Sequence, residues 1–230
     1  MISVGFLVFP GLQLLDLAGP YEVFAALPDS VIHLVWKSLE PINCSTGLSL
    51  TPTATLQGEP ALTVLCIPGG PGINALLLDE EVLAWVRRQA AQAQFVTSVC
   101  TGALLLGAAG LLDGRRATTH WRYLELLTHF GAIPVHERVV HDGNLITGGG
   151  VTAGIDFGLA VAANLRGRQA AEEIQLALEY APAPPYNAGR PDAAPETTFT
   201  AVCQRTQALY DEREDLVQRC QRRQWPNGRE

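Results

Sequence analysis

Gln94-Phe95-Val96-Thr97-Ser98-Val99-Cys100-Thr101-Gly102-Ala103-Leu104-Leu105-Leu106-Gly107 begins as an apolar run of β character, stops at a cysteine and passes at once into small and aliphatic residues of helical character. A strand, a sharp turn and a helix with Cys100 at the apex make a nucleophile elbow. In such elbows the residues two before and two after the nucleophile are small, because the backbone folds back on itself there. Those positions hold Ser98 and Gly102. A cysteine at a helix N-terminus meets unpaired N–H groups, which favour thiolate over thiol, so Cys100 reads as a thiolate nucleophile. A free cysteine can equally pack as a small hydrophobe. Cys66, inside Leu62-Thr63-Val64-Leu65-Cys66-Ile67, fits that description.

A cysteine nucleophile works with an acid or base beside it, and Asp16, Glu22 and His120 qualify by type. Asp16 interrupts Leu12-Gln13-Leu14-Leu15-Asp16-Leu17-Ala18-Gly19-Pro20, a largely apolar stretch just past the first strand-like run. A carboxyl in such surroundings should be held above its ordinary pKa and can act as a proton donor. Read structurally, the same residue is the N-cap of the following helix. His120 ends a short strand, where a histidine either assists the cysteine or is a satisfied edge residue. The turn Pro68-Gly69-Gly70-Pro71-Gly72 lets successive N–H groups converge as an anion-binding nest, or only punctuates the chain. Taken with the elbow, it predicts an oxyanion hole whose donors are the Gly70 and Thr101 N–H groups.

These residues must be brought together by the elements around them. Strand-like runs at 2–9, 31–39 and 62–67 alternate with helix-like runs at 14–27 and 79–93 before the elbow is reached. That alternation predicts an α/β fold with a mostly parallel sheet and helices on both faces. Ligands bind such sheets at the carboxyl ends of the strands, where Cys100, the glycine turn and Asp16 all fall. Between 41 and 59 the chain reads as a hairpin excursion. Later come a short strand at 116–119, a helix at 121–130 and a hairpin turning through Asp142-Gly143. Gly148-Gly149-Gly150 then opens a helix to 165, and another helix spans 169–180. The division predicted is a single α/β domain over 1–180, followed by a Pro-rich strap and a C-terminal helix over 181–230. That helix, 196–221, carries Phe199, Val202, Leu209, Leu216 and Cys220 as one stripe, packing on the domain or on a second subunit.

Composition narrows the function classes. The 230 residues carry a net charge of −7, which argues against nucleic acid as a partner, since phosphate binding needs concentrated basic surface. The N-terminal ten residues lack a basic region and are cut by Pro10, unlike a signal peptide. The longest apolar run, 102–112, is too short to span a bilayer, so no membrane partner is expected. Five cysteines without framework spacing point to a reducing cytoplasm. No metal-ligand spacing is present.

Several motifs together carry a family resemblance: Phe9-Pro10-Gly11, Leu15-Asp16-Leu17-Ala18-Gly19-Pro20-Tyr21-Glu22-Val23, Ile67-Pro68-Gly69-Gly70, Ser98-Val99-Cys100-Thr101-Gly102, Ala117-Thr118-Thr119-His120-Trp121 and 146–156. The chain resembles the ThiJ/PfpI superfamily, and within it the isonitrile hydratases, over nearly its whole length. The resemblance implies a flavodoxin-like three-layer sandwich, a homodimer, no cofactor, and hydration of a small-molecule isonitrile to an N-substituted formamide. It places the nucleophile on Cys100, the acid on Asp16 and a water-contacting hydroxyl on Thr101. Much of the superfamily sets a glutamate against the cysteine, and its protease-like members follow the cysteine with histidine. Asp16 and Thr101 depart from both patterns, which weakens hydrolase and glyoxalase-like readings. Sensor domains of AraC-type regulators share the Cys-Thr-Gly and Thr-Thr-His-Trp signatures. They continue into a helix-turn-helix domain, for which the thirty or so residues after the strap are too few.

Overall fold

The computed structural model describes residues 1–58 and 60–225. Strands β1 (Ile2–Leu7), β2 (Ser30–Trp36), β6 (Val64–Ile67), β7 (Phe95–Val99) and β11 (Leu145–Gly148) form its parallel core. Helix α1 (Leu14–Ala25) joins the first two. The excursion that follows holds the two-stranded hairpin β3 (Ile42–Asn43) and β4 (Ser49–Leu50) and the edge strand β5 (Ala54–Thr55). Strand β10 (Val139–Asp142) runs antiparallel to β11, and the seven-stranded order is β10-β11-β7-β6-β1-β2-β5. Every residue of β6 and of β11 is buried, as expected of strands covered on both faces. The short strands β8 (Arg116–Ala117) and β9 (Ile133–Pro134) pair separately.

Helices α2 (Ile73–Leu76), α3 (Glu80–Ala90) and α4 (Gly102–Ala108) follow β6 and β7. Past the 3-10 helix Trp121–Phe130 come α5 (Ala153–Arg166), α6 (Arg168–Ala177), α7 (Glu196–Arg205) and α8 (Gln207–Gln224). One outer layer packs α1 on α5 and α5 on α6; the other packs α4 against α2, α3, α8 and the 3-10 helix. The contact between α1 and α5 is close because it is made by glycines. A Cβ on Gly154 would lie 2.8 Å from the Pro20 ring, and one on Gly158 3.1 Å from Val23. No described helix is long and apolar enough to cross a membrane.

Several expectations are corrected. The run 121–130 is a 3-10 helix, closed by Gly131 in the left-handed region at φ 71°. The β10–β11 turn pairs Asp142 with Leu145 and so turns through Gly143-Asn144, one residue later than predicted. The single C-terminal helix is two, parted at Thr206, where φ is −102° and ψ 4°. Its buried stripe is Arg213, Val217 and Cys220 rather than the residues predicted, and of those only Cys220 is buried. The strap over 181–195 has no regular secondary structure apart from turns and is almost wholly exposed.

Candidate active site

Register sets the site. Ile67 pairs with Ser98 and Gly148 with Val99, so three strands end side by side around Cys100. Cys100 takes φ 54°, a left-handed conformation that a non-glycine residue adopts only where its surroundings hold it there. They do: its N–H lies 2.8 Å from Gly149 O and 3.1 Å from Gly148 O, and its carbonyl accepts from the Thr119 hydroxyl at 2.6 Å. Gly102 is obligatory for the elbow, since a Cβ there would lie 2.0 Å from Ile67 O.

Asp16 sits inside the first turn of α1. The helix is capped by Gln13 with no side-chain hydrogen bond, so the N-cap reading of Asp16 is set aside. Its fully buried carboxyl instead faces the elbow. Oδ2 accepts from Gly69 N–H at 2.9 Å, and Oδ1 has no partner of ordinary hydrogen-bond geometry. Burial pushes the Asp16 pKa up to about 7, against the lowering pull of the Gly69 N–H and of the Cys100 thiol. The carboxyl and the thiol are directly coupled.

Cys100 does not behave as the elbow alone predicts. Burial, and then the neighbouring Asp16 carboxylate, push its thiol well above the ordinary range, outweighing the lowering by Thr101 N–H and by Arg213. The helix N-terminus helps the thiolate but does not dominate in a site this dry. Below about pH 7 both groups are protonated; above it Cys100 and Asp16 form one unit holding one proton, as thiol with carboxylate or thiolate with carboxylic acid.

The glycine turn is also corrected. Gly70 N–H donates to Thr101 Oγ1 at 3.0 Å, Gly69 N–H serves Asp16, and Gly72 N–H donates to Gly11 O at 3.2 Å. The turn does gather an anion, but the anion is the protein's own carboxylate, and Gly70 is not a free oxyanion donor. Thr101 N–H is directed at the Cys100 sulfur. The Thr101 hydroxyl is fixed between the N–H and C=O of Gly70 and meets the Asp16 carboxyl at the Gly69 backbone. A Cβ on Gly69 would strike Thr101 N at 2.5 Å and Asp16 Oδ2 at 2.8 Å. That crowding shows how tightly Gly69, Thr101 and Asp16 converge.

His120 is a helix-capping residue. Its Nδ1 accepts from Arg122 N–H at 3.2 Å, capping the 3-10 helix, and burial, then Arg213, bring its pKa down to about 4. Neutral at ordinary pH, it lies tilted against Trp121 and Tyr123 with ring centroids 5.6 and 5.7 Å away. Glu22 is exposed. Thr119, Gly69 and Arg213 were not singled out from sequence. Each acts through hydrogen-bond direction or backbone proximity, which residue type does not reveal.

Residues 2–164 match the DJ-1/PfpI family. The chain belongs to that family. Individual relatives show how far the similarity runs. The chain is 55% identical over 218 residues to the isonitrile hydratase of Pseudomonas putida, covering 95% of this chain and 96% of that one. It superposes on a ThiJ/PfpI family protein from Pseudomonas syringae with a TM-score of 0.91 at 45% identity, covering 94% and 90% of the two chains. It is 31% identical over 185 residues to the HTH-type transcriptional regulator GbdR of Pseudomonas aeruginosa, spanning 76% of this chain but 49% of the regulator.

Proposed function

We propose that this family member is an isonitrile hydratase, adding water to R–N≡C to give R–NH–CHO. The observation that carries the reading is the proton-sharing pair of Cys100 and Asp16, supported by the 55% identity to a protein of that name. The formamide needs one hydrogen on carbon, one on nitrogen and an oxygen on carbon. Sulfur adds to the terminal carbon and the pair's proton goes to that same carbon, giving the thioimidate R–N=CH–S–Cys100 and leaving Asp16 ionised. A thiol with a strongly depressed pKa would leave no proton for this step.

Water held by the Thr101 hydroxyl then adds to the thioimidate carbon. Asp16 accepts one of its protons and passes it to nitrogen, leaving R–NH–CH(OH)–S–Cys100. In the collapse the C–S bond breaks with its electron pair going to sulfur, and the hydroxyl proton goes to Asp16. The formamide leaves and the pair again holds one proton and one negative charge. The ring of Tyr123, close enough to Cys100 to feel its charge, offers an aromatic surface for R.

Incubation with an alkyl or aryl isonitrile in oxygen-18 water should give labelled N-formamide with many turnovers per subunit, and none after Cys100→Ala. A stoichiometric adduct, or binding alone, would instead favour a sensor role, the reading that the likeness to GbdR supports. The working enzyme is a homodimer in the reducing cytoplasm, a reading with which five free cysteines agree. Light scattering at micromolar concentration should give twice 24.7 kDa; the monomer mass would refute the dimer. Cell fractionation checks the compartment.

A further inference from the structure

Arg213 reaches the site from α8, well beyond the residues that match the family. Its side chain is buried, with 1% of the residue exposed. Nε donates to Asn74 Oδ1 at 2.7 Å, Nη2 donates to Gly70 O at 3.2 Å, and the guanidinium carbon lies 4.2 Å from the centre of the Tyr123 ring. All three partners are neutral, and among the described residues no carboxylate stands within ion-pair distance of it. A buried cation among neutral dipoles is costly, and a hydrophobic side chain would fill the same groove more cheaply.

Asn74 sharpens the point. It is buried, its Oδ1 serves Arg213, and its Nδ2 has no partner. An aspartate there would keep the bond to Nε, remove the orphaned amide N–H and neutralise the guanidinium. The amide instead leaves the positive charge uncancelled, next to a site that holds one negative charge above about pH 7.

We infer that Arg213 is a positioning residue of the reaction: it is the counter-charge that draws the negative charge of the Cys100–Asp16 pair onto sulfur, and it anchors the Gly70 peptide that holds the Thr101 hydroxyl. The geometry is a short relay, from Nη2 to Gly70 O, from Gly70 N–H to Thr101 Oγ1, and from Thr101 to its neighbour Cys100. Arg213 and Cys100 each favour the charged form of the other through space. Other groups bear on the balance: Asp16 from α1 opposes the thiolate, Tyr123 and His120 face Arg213 from the 3-10 helix, and Glu212 precedes it on α8. α8 is therefore part of the site as well as a cover for it. The part Arg213 plays in turnover rests on the hydratase reading; its effect on sulfur does not.

The test uses Asn74→Asp, which neutralises Arg213 in place, beside Asn74→Leu, which removes the same hydrogen bond without adding charge. The rate at which iodoacetamide alkylates Cys100, read by mass spectrometry across pH 6 to 9, should fall about tenfold in Asn74→Asp, equivalent to a displacement of about one unit along the pH axis. Asn74→Leu should stay within about threefold of the parent. For isonitrile hydration, kcat of Asn74→Asp should fall about tenfold with KM little changed, while its melting temperature holds or rises. Arg213→Gln should slow alkylation likewise; if it does not fold, the Asn74 pair decides. An unmoved profile in Asn74→Asp, or an equal slowing in Asn74→Leu, overturns the proposal. A parent that alkylates normally but hydrates no isonitrile would refute the hydratase reading, and the alkylation profiles would still judge Arg213.

Discussion

A carboxyl in water ionises near 3.8, and at position 16 burial holds its proton to about 7. Asp16 therefore costs the protein stability at neutral pH. In the folded state it binds a proton that the unfolded chain has released, so its favourable contribution is complete below about pH 4. That contribution is withdrawn as the pH rises through 7, a loss of about 4 kcal/mol. Cys100 is raised as well, and its contribution is lost at higher pH still. Asp16→Asn keeps an acceptor for Gly69 N–H but cannot ionise. Its melting temperature relative to the parent should rise between pH 5 and pH 8, while kcat falls about 10²-fold or more, the scale for a lost acid–base group. Parental turnover in the Asn variant would remove Asp16 from the chemistry, and a melting difference that does not change with pH would refute the buried acid.

At the scale of elements, the join of β7 to α4 is the part that cannot be adjusted. A Cβ at position 102 would fall 2.0 Å from Ile67 O, and both sides of that contact are backbone, so β6 and α4 would have to separate. Gly102→Ala should destabilise by about 3 kcal/mol, lowering the melting temperature by roughly 6–12 °C; a change under about 2 °C would mean that the elbow is looser than described. This requirement was legible in the sequence, because a strand that turns sharply into a helix at a cysteine has room only for small residues on either side of it. The alternation of strands and helices was legible for a similar reason: buried parallel strands and amphipathic helices have different periods. The fate of the Gly69 and Gly70 N–H groups was not, since residue type says where a turn is but not where its donors point. Nor was Arg213, which stands in Asp211-Glu212-Arg213-Glu214-Asp215 like any solvated charge. Its signal lies in the spacing to Val217, Cys220 and Gln224, which shows only once the chain is broken at Thr206 and α8 is taken as a helix of its own.

Over the whole molecule, α8 ties together parts of the chain that the sheet alone leaves separate. Val217 and Cys220 are buried in one face of it, Cys220 Sγ donates to Leu77 O at 3.2 Å, and Gln224 Nε2 donates to Gly107 O and Ala108 O at the C-terminal end of α4 at 2.9 and 2.7 Å. Gly107 O already accepts from Gly110 N–H at 2.9 Å, while Ala108 O is the kind of acceptor that a helix end leaves unpaired, so α8 closes the C-terminal end of the helix that follows Cys100 while Arg213 bonds to Asn74 and Gly70. Val217→Ala should cost about 2 kcal/mol for the lost methyls and the space they leave, a fall of roughly 4–8 °C for a chain of this size. Leu176 on α6, 83% exposed, serves as the contrast, and Leu176→Ala should leave the melting temperature of the subunit within about 1 °C. The informative comparison is activity in the two variants at a temperature where both are fully folded. If α8 positions Arg213, loosening it at Val217 should lower kcat two- to fivefold and slow Cys100 alkylation in proportion. A Val217→Ala protein that melts lower yet reacts at the parental rate would mean that α8 contributes stability alone and that the site is complete without it.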